Sequence, residues 1–240
     1  MVGSRWIFAA AGAAAGLSAI TGSAHAAVDT QPVQKPFGVR IGYLLTSVNS
    51  TLFPEESDFR RSFSLKPFNV GVSYDISKSK TASPVVYGVY ADYFAERSND
   101  QNFTLEGNTT EKATSKVSAF GIGGSARFLF GTANAAWVPY AGVGIGIYSV
   151  RAKLDDVETT TDVQVEASSL SRQTTTTNTF SKSKTQVSVG GKVLVGVQGK
   201  SGLLGELEYD ILPTATVKDS GEKLLDGKLS GLNIRVGYRF

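Results

Sequence analysis

Leu232-Asn233-Ile234-Arg235-Val236-Gly237-Tyr238-Arg239-Phe240 ends the sequence. Leu232, Ile234, Val236, Tyr238 and Phe240 fall on one side of a period-two pattern; Gly231, Asn233, Arg235, Gly237 and Arg239 fall on the other. Successive side chains of an extended strand point to opposite faces, so this is a strand with one apolar face and one small or charged face. The division recurs upstream. Phe37, Val39, Ile41, Tyr43 and Leu45 alternate with Gly38, Arg40, Gly42 and Thr46. Phe68, Val70, Val72, Tyr74 and Ile76 oppose Asn69, Gly71, Ser73 and Asp75, and Val187, Val189, Val193, Val195 and Val197 oppose Ser188, Gly190, Lys192, Gly196 and Gln198.

Extending the pattern gives eight strands, at 37–47, 67–77, 84–95, 115–130, 138–152, 184–199, 203–212 and 228–240. The connections alternate between long (48–66, 96–114, 153–183, 213–227) and short (78–83, 131–137, 200–202). Past the N-terminal stretch, no run approaches the length of apolar residues that a membrane helix needs. Long and short connections in alternation, between strands with an apolar face, describe an antiparallel up-and-down transmembrane barrel.

Alternation alone does not say which face points inward, and a soluble lipocalin-like barrel would place the apolar face inside. About half of the polar face is glycine, which weakens a solvated strand but makes room in a crowded lumen. Its charges also balance: Arg40, Arg127, Lys192, Arg235 and Arg239 against Asp75, Asp92, Glu206, Glu208 and Asp210. A lumen that buries charges must pair them. The apolar face is therefore expected toward lipid and the ten charges toward each other. Tyr43, Tyr74, Tyr87, Tyr93, Trp137, Tyr140, Tyr148, Tyr209, Tyr238 and Phe240 lie near strand ends, as interfacial aromatic girdles do.

Residues 1–26 have the parts of a cleavable signal peptide: Arg5, an apolar run from Trp6 to Leu17, and small residues Ala24 and Ala26 at −3 and −1 of a cut after Ala26. Residues 27–36 then form a short periplasmic lead-in and 37–240 the barrel. The only histidine, His25, would leave with the signal, and there is no cysteine. That removes His-based acid–base catalysis, Cys nucleophiles, disulfides and His/Cys zinc sites from the mature chain. A formal net charge of +3 supplies no field for nucleic acid. The mean hydropathy of −0.04 is the average of two unlike faces.

The closing strand resembles the terminal strand of bacterial outer-membrane proteins, which alternates apolar positions and ends on an aromatic residue. Pro139-Tyr140-Ala141-Gly142-Val143-Gly144-Ile145-Gly146 and Gly205-Glu206-Leu207-Glu208-Tyr209-Asp210 are similar to strands of small barrels of the OmpA, OmpX and OmpW type. The resemblance implies that Leu232, Ile234, Val236, Tyr238 and Phe240 are read by the barrel-assembly machinery, and that lipid bilayer and lipopolysaccharide surround the barrel. Unlike OmpA, the sequence stops at its final strand, so no peptidoglycan-binding domain is expected.

Gly121–Gly124 and Gly142–Gly146 are not phosphate loops, because strand pattern continues on both sides where a helix would be required. They are expected to leave lumen space for Tyr90, Phe94 and Leu194. Glu206, Glu208 and Asp210 share a strand face but lack the cleft that glycoside hydrolysis requires; they are expected in the ion-pair network, with a gated ion or proton path as the other reading. Asp155, Asp156, Glu158, Asp162 and Glu166 lack the spacing of a calcium loop and read as a solvated acidic segment. The Thr-rich alternation from Glu166 to Lys184 suggests that the flanking strands project beyond the bilayer, where an edge can pair with a partner strand or remain a mobile loop. No enzyme activity, cofactor or metal is expected, and the chain is expected as a monomer. Two functions stand side by side: a structural or surface-interaction barrel acting through its four long loops, or a porin-like passage for small solutes or apolar molecules.

Overall fold

A computed structural model describes residues 35–55, 60–76, 84–104, 109–130, 135–165 and 171–240. The signal segment with Ala24 and Ala26, most of the lead-in, and Glu166 lie outside the described residues, as does the side chain of Asp162. The described chain contains twelve strands and no helix. They are β1 (Phe37–Ser47), β2 (Ser50–Leu52), β3 (Arg61–Phe63), β4 (Phe68–Asp75), β5 (Val85–Thr104), β6 (Thr109–Leu129), β7 (Trp137–Val165), β8 (Ser171–Gly199), β9 (Leu203–Ile211), β10 (Ala215–Asp219), β11 (Glu222–Gly227) and β12 (Gly231–Arg239).

Eight of them close an antiparallel barrel in the order β1-β12-β9-β8-β7-β6-β5-β4. The ends meet where β1 pairs with β12 and β4, matching Ile41 to both Val236 and Val70. The apolar face points outward: Phe68, Ile145 and Val189 are 65%, 67% and 65% exposed, whereas Asp92, Glu208 and Asp210 are 0% exposed. A wall of exposed Val, Ile and Phe around a charged interior suits lipid, where the closed ring also leaves no backbone edge unpaired. The lower end, holding Phe37 and Phe240, includes the tight turn between β8 and β9. Gly202 there has φ +106 and its Cβ position is blocked by the Arg239 carbonyl, so the Gly199–Gly202 turn requires glycine.

The upper half departs from a simple barrel. A membrane strand needs about 9–11 residues, whereas β7 and β8 each have 29 residues, so their excess stands clear of the bilayer. The barrel splits there along two seams. Pairing of β8 with β9 stops at Gly191↔Ile211, and pairing of β4 with β5 stops at Asn69↔Phe94. Above the seams β5 to β8 continue as one sheet. The other four walls continue as a second sheet, ordered β10-β11-β2-β3, and pack against it. Leu52, Phe63, Phe103, Ala113, Val117, Val150, Ala152, Leu154, Ala215, Val217 and Leu225 fill the space between them.

The connections expected as loops at 48–66 and 213–227 therefore contain β2–β3 and the β10–β11 hairpin. Those expected at 96–114 and 153–183 shrink to 105–108 and 166–170 because their flanking strands run on. The hairpin turns on Ser220 (φ 47) and Gly221 (φ +98), the double positive φ of a two-residue turn whose twist suits a hairpin.

Candidate functional site

The lumen is crossed by ion pairs from every wall except that of β7, which contributes tyrosines. Asp92 on β5 is the hub: its Oδ1 accepts from Arg235 Nη1 of β12 at 2.6 Å, and its Oδ2 from Lys192 Nζ of β8 at 2.6 Å. Arg40 of β1 stands 3.9 Å away. Above the hub, Glu208 lies 2.7 Å from Arg235 and 3.4 Å from Lys192. Asp210, 3.6 Å from Arg235, accepts from Asn233 Nδ2, and Asn69 Nδ2 donates to Asn233 Oδ1 at 2.8 Å. Below it, Arg40 pairs with Glu206 at 3.0 Å, and Tyr140 Oη donates to the same carboxylate at 2.7 Å. At the lower end Asp75 receives both Arg127, at 2.5 Å, and Arg239. Arg239 also donates to the backbone carbonyls of Lys35 and Pro36, tying the chain's entry to its last strand.

The ion pairs thus form two groups, Arg40, Asp92, Lys192, Glu206, Glu208, Asp210 and Arg235 in one and Asp75, Arg127 and Arg239 in the other, through side chains that are at most 8% exposed. Removing one partner of a buried pair costs about 3–5 kcal/mol, so each charge holds the others in place. Glu206, Glu208 and Asp210 all lie within this mesh of cations. Asn69, Asn233 and the tyrosines are neutral members that charge counting does not find; their lumen-face phase in the alternation is the signal that would.

Tyr140 and Tyr148, placed above among girdle aromatics, instead face the lumen and are 2% and 0% exposed. Both occupy even positions of β7, in phase with Gly142, Gly144 and Gly146, and that phase overrides their closeness to the strand ends. Tyr148 Oη lies 3.0 Å from Tyr90 Oη, and Lys192 sits 3.6 Å from the Tyr90 ring centroid. Glycines make this possible. A Cβ at Gly121 would collide with the Tyr148 ring; one at Gly190 would lie 2.6 Å from that ring, one at Gly123 2.6 Å from Tyr90 Oη, and one at Gly196 2.7 Å from Tyr140. The space is used by tyrosines 90, 140 and 148 rather than by Phe94 and Leu194.

Above Asp92 on β5 the interior becomes apolar at Phe94, which belongs to the core of the two-sheet head. The acidic segment of β7 is part of the head's sheet. Burial pushes the Asp155 carboxyl up, but hydrogen bonds from Lys153, Ser181 and Lys116 outweigh it and bring it down to about 2. Burial, reinforced by nearby Glu158, holds Asp156 above the usual carboxylate range. Among the described residues no cluster of carboxylates or histidines is arranged to hold a metal ion.

The head exposes a long strand edge on β8. Among the described residues no strand pairs with Ser171–Gly190 of β8 on the side away from β7. Residues 174–179 are exposed, and Lys182 reaches across to Asp219 of the second sheet.

A search of curated proteins finds no match. Among solved structures, the chain is similar to Ail, the attachment invasion locus protein of Yersinia pestis, at 15% identity and a TM-score of 0.37, covering 87% of this chain and 100% of that one. It is also similar to Neisserial surface protein A at 15% identity and a TM-score of 0.37, covering 85% and 97%. The N-terminal barrel domain of Pseudomonas aeruginosa OprF follows at 11% identity and a TM-score of 0.29, covering 86% and 100%. No residue's role is carried over from overlaps this loose. The family match is independent of them and spans residues 12–240, so the chain belongs to the family described as outer membrane protein beta-barrel domain.

Proposed function

We propose that the protein is a non-enzymatic surface-interaction barrel whose filled lumen anchors a rigid two-sheet head. The head presents the β8 edge to an extended segment of a partner. The bare edge at Ser171–Gly190 carries this proposal. An unpaired edge offers a row of backbone donors and acceptors, and proteins usually blunt such edges unless another chain completes them. The edge is rich in Thr and Ser, bears Lys184 beside the Asp219-paired Lys182, and has no acidic residue from 167 to 205, which favours an acidic partner strand.

The cross-lumen pairs at Asp92 support a closed interior and weigh against solute passage. In a planar bilayer the reconstituted chain is expected to stay silent, and stable single-channel steps would overturn the closed-lumen part. The docking part is tested by panning displayed acidic peptides against the solubilised chain, followed by a proline scan through Thr174–Thr185. Backbone N–H groups of a strand point alternately to its two sides. Proline at every second position should abolish capture while the folded, heat-modifiable band remains. Capture indifferent to the scan's phase would reject edge pairing.

A further inference from the structure

The outward face of β6 and β7 changes character within two residues of the lipid belt. On β7, Ile145 and Ile147 are 67% and 57% exposed, Ser149 follows, and then come Arg151 and Lys153. On β6, Ile122 and Phe120 lead through Ser118 to Lys116. The register places Lys116 directly opposite Lys153 and Ser118 opposite Arg151, so Arg151 is the diagonal neighbour of Lys116. Like charges directly opposite on a sheet repel unless an anion lies between them. Asp155 does so for the two lysines, at 3.1 Å from Lys116 and 2.7 Å from Lys153. Asp155 thus serves two of the three cations, with Asp100 also attracting Lys116, and Arg151, exposed, has no carboxylate partner among the described residues. Elsewhere on the rim, the outward residues topping β1, β9 and β12 are Leu45, Ile211 and Leu232.

We infer that Arg151, Lys116 and Lys153 form a site for the phosphate group of an outer-leaflet lipid. Three observations meet there. Three cations stand together on the outward face of two neighbouring strands. They sit immediately above Phe120, Ile147 and Val187, which take the acyl chains of a lipid standing against the wall. The β6–β7 ladder rises past the belt without a register shift, so the cations stand in line with the apolar wall below them. A guanidinium can grip two phosphate oxygens at once, and two ammonium groups can close on a third. Soluble phosphate has the charge but no chain to pack on the apolar wall below.

The test places the full chain in phosphatidylcholine nanodiscs with and without diphosphoryl lipid A and follows the unfolding midpoint. Lipid A is expected to raise the midpoint of the wild-type protein, and R151Q/K116Q/K153Q is expected to lose that shift. Because Asp155 loses its partners in the triple variant, Arg151→Gln alone is the second arm; it disturbs no pair and should lose part of the shift. Lys223→Gln, on the head beside Glu55, should keep all of it. A full shift in the triple variant, or an equal shift of the wild-type chain with inorganic phosphate in lipid-A-free discs, would overturn the assignment.

Discussion

Asp92 on β5 and Lys192 on β8, 2.6 Å apart, join walls three strands apart around the barrel ring. With Arg235 and Arg40 also turned to Asp92, one carboxylate lies among three cations. Asp92→Ala should therefore cost more than the loss of any single surface pair, about 3–5 kcal/mol, because it strands buried cations. Urea unfolding followed by the heat-modifiable gel shift measures it. A change below about 1 kcal/mol, the scale of an exposed pair, would show that the lumen is hydrated.

Gly121 and Tyr148 give a contrasting pair. Gly121→Val drives a branched side chain into the Tyr148 ring and should destabilise by about 1–3 kcal/mol or block assembly. Tyr148→Phe removes only the hydrogen bond to Tyr90 and should cost about 1 kcal/mol. Equal effects from the two substitutions would contradict the glycine-for-tyrosine packing.

Asp155 sets the acid limit of the head. Its pKa falls from the ordinary 3.8 to about 2 on folding, so the carboxylate stabilises the sheet fully above about pH 4. That contribution is lost as pH falls through about 2. Hydrogen exchange in β7 and β8 should accelerate in this window, and Asp155→Asn should flatten the dependence. The carboxylate is partly solvent-screened, so the effect is local to the head.

The two chain ends carry separate expectations. Mass spectrometry of the exported protein should find Ala27 as its first residue if Ala24 and Ala26 mark the cleavage site, and uncleaved chain would refute this. Phe240 packs its ring 5.1 Å from Tyr238 and 6.1 Å from Phe37. Deleting it should slow assembly and accumulate the unfolded form in the periplasm; wild-type assembly kinetics would remove Phe240 from the recognition signal.

The number of barrel strands and the two faces were legible because a single phase of alternation runs through β4, β9 and β12, and through β1 as far as Leu44, where lipid and lumen impose opposite chemistries. The head was not. The bulge between Phe94 and Arg97 shifts the phase of β5, so Phe94 and Phe103 both point inward from positions of opposite parity. Read from either side of the bulge, the alternation breaks and the segment resembles a loop. β2 and β3 have three residues each, too few to carry a period. The lumen tyrosines share their strand-end neighbourhood with true girdle residues, and only their parity separates them.

The head is assembled from both ends of the chain. β2 and β3 lie near its beginning and β10 and β11 near its close, and they join through Leu225↔Leu52 and Asp226↔Thr51. That joint continues upward from the β1–β12 seam, so it can form only when the first and last strands have met. The hairpins β5–β6 and β7–β8 are local and can fold before then, leaving Phe103, Val117 and Leu154 bare on one side of their sheet. The second sheet is therefore a clasp that shuts last and covers this greasy surface. A barrel stalled one strand short would carry it uncovered, open to proteases and to its own neighbours.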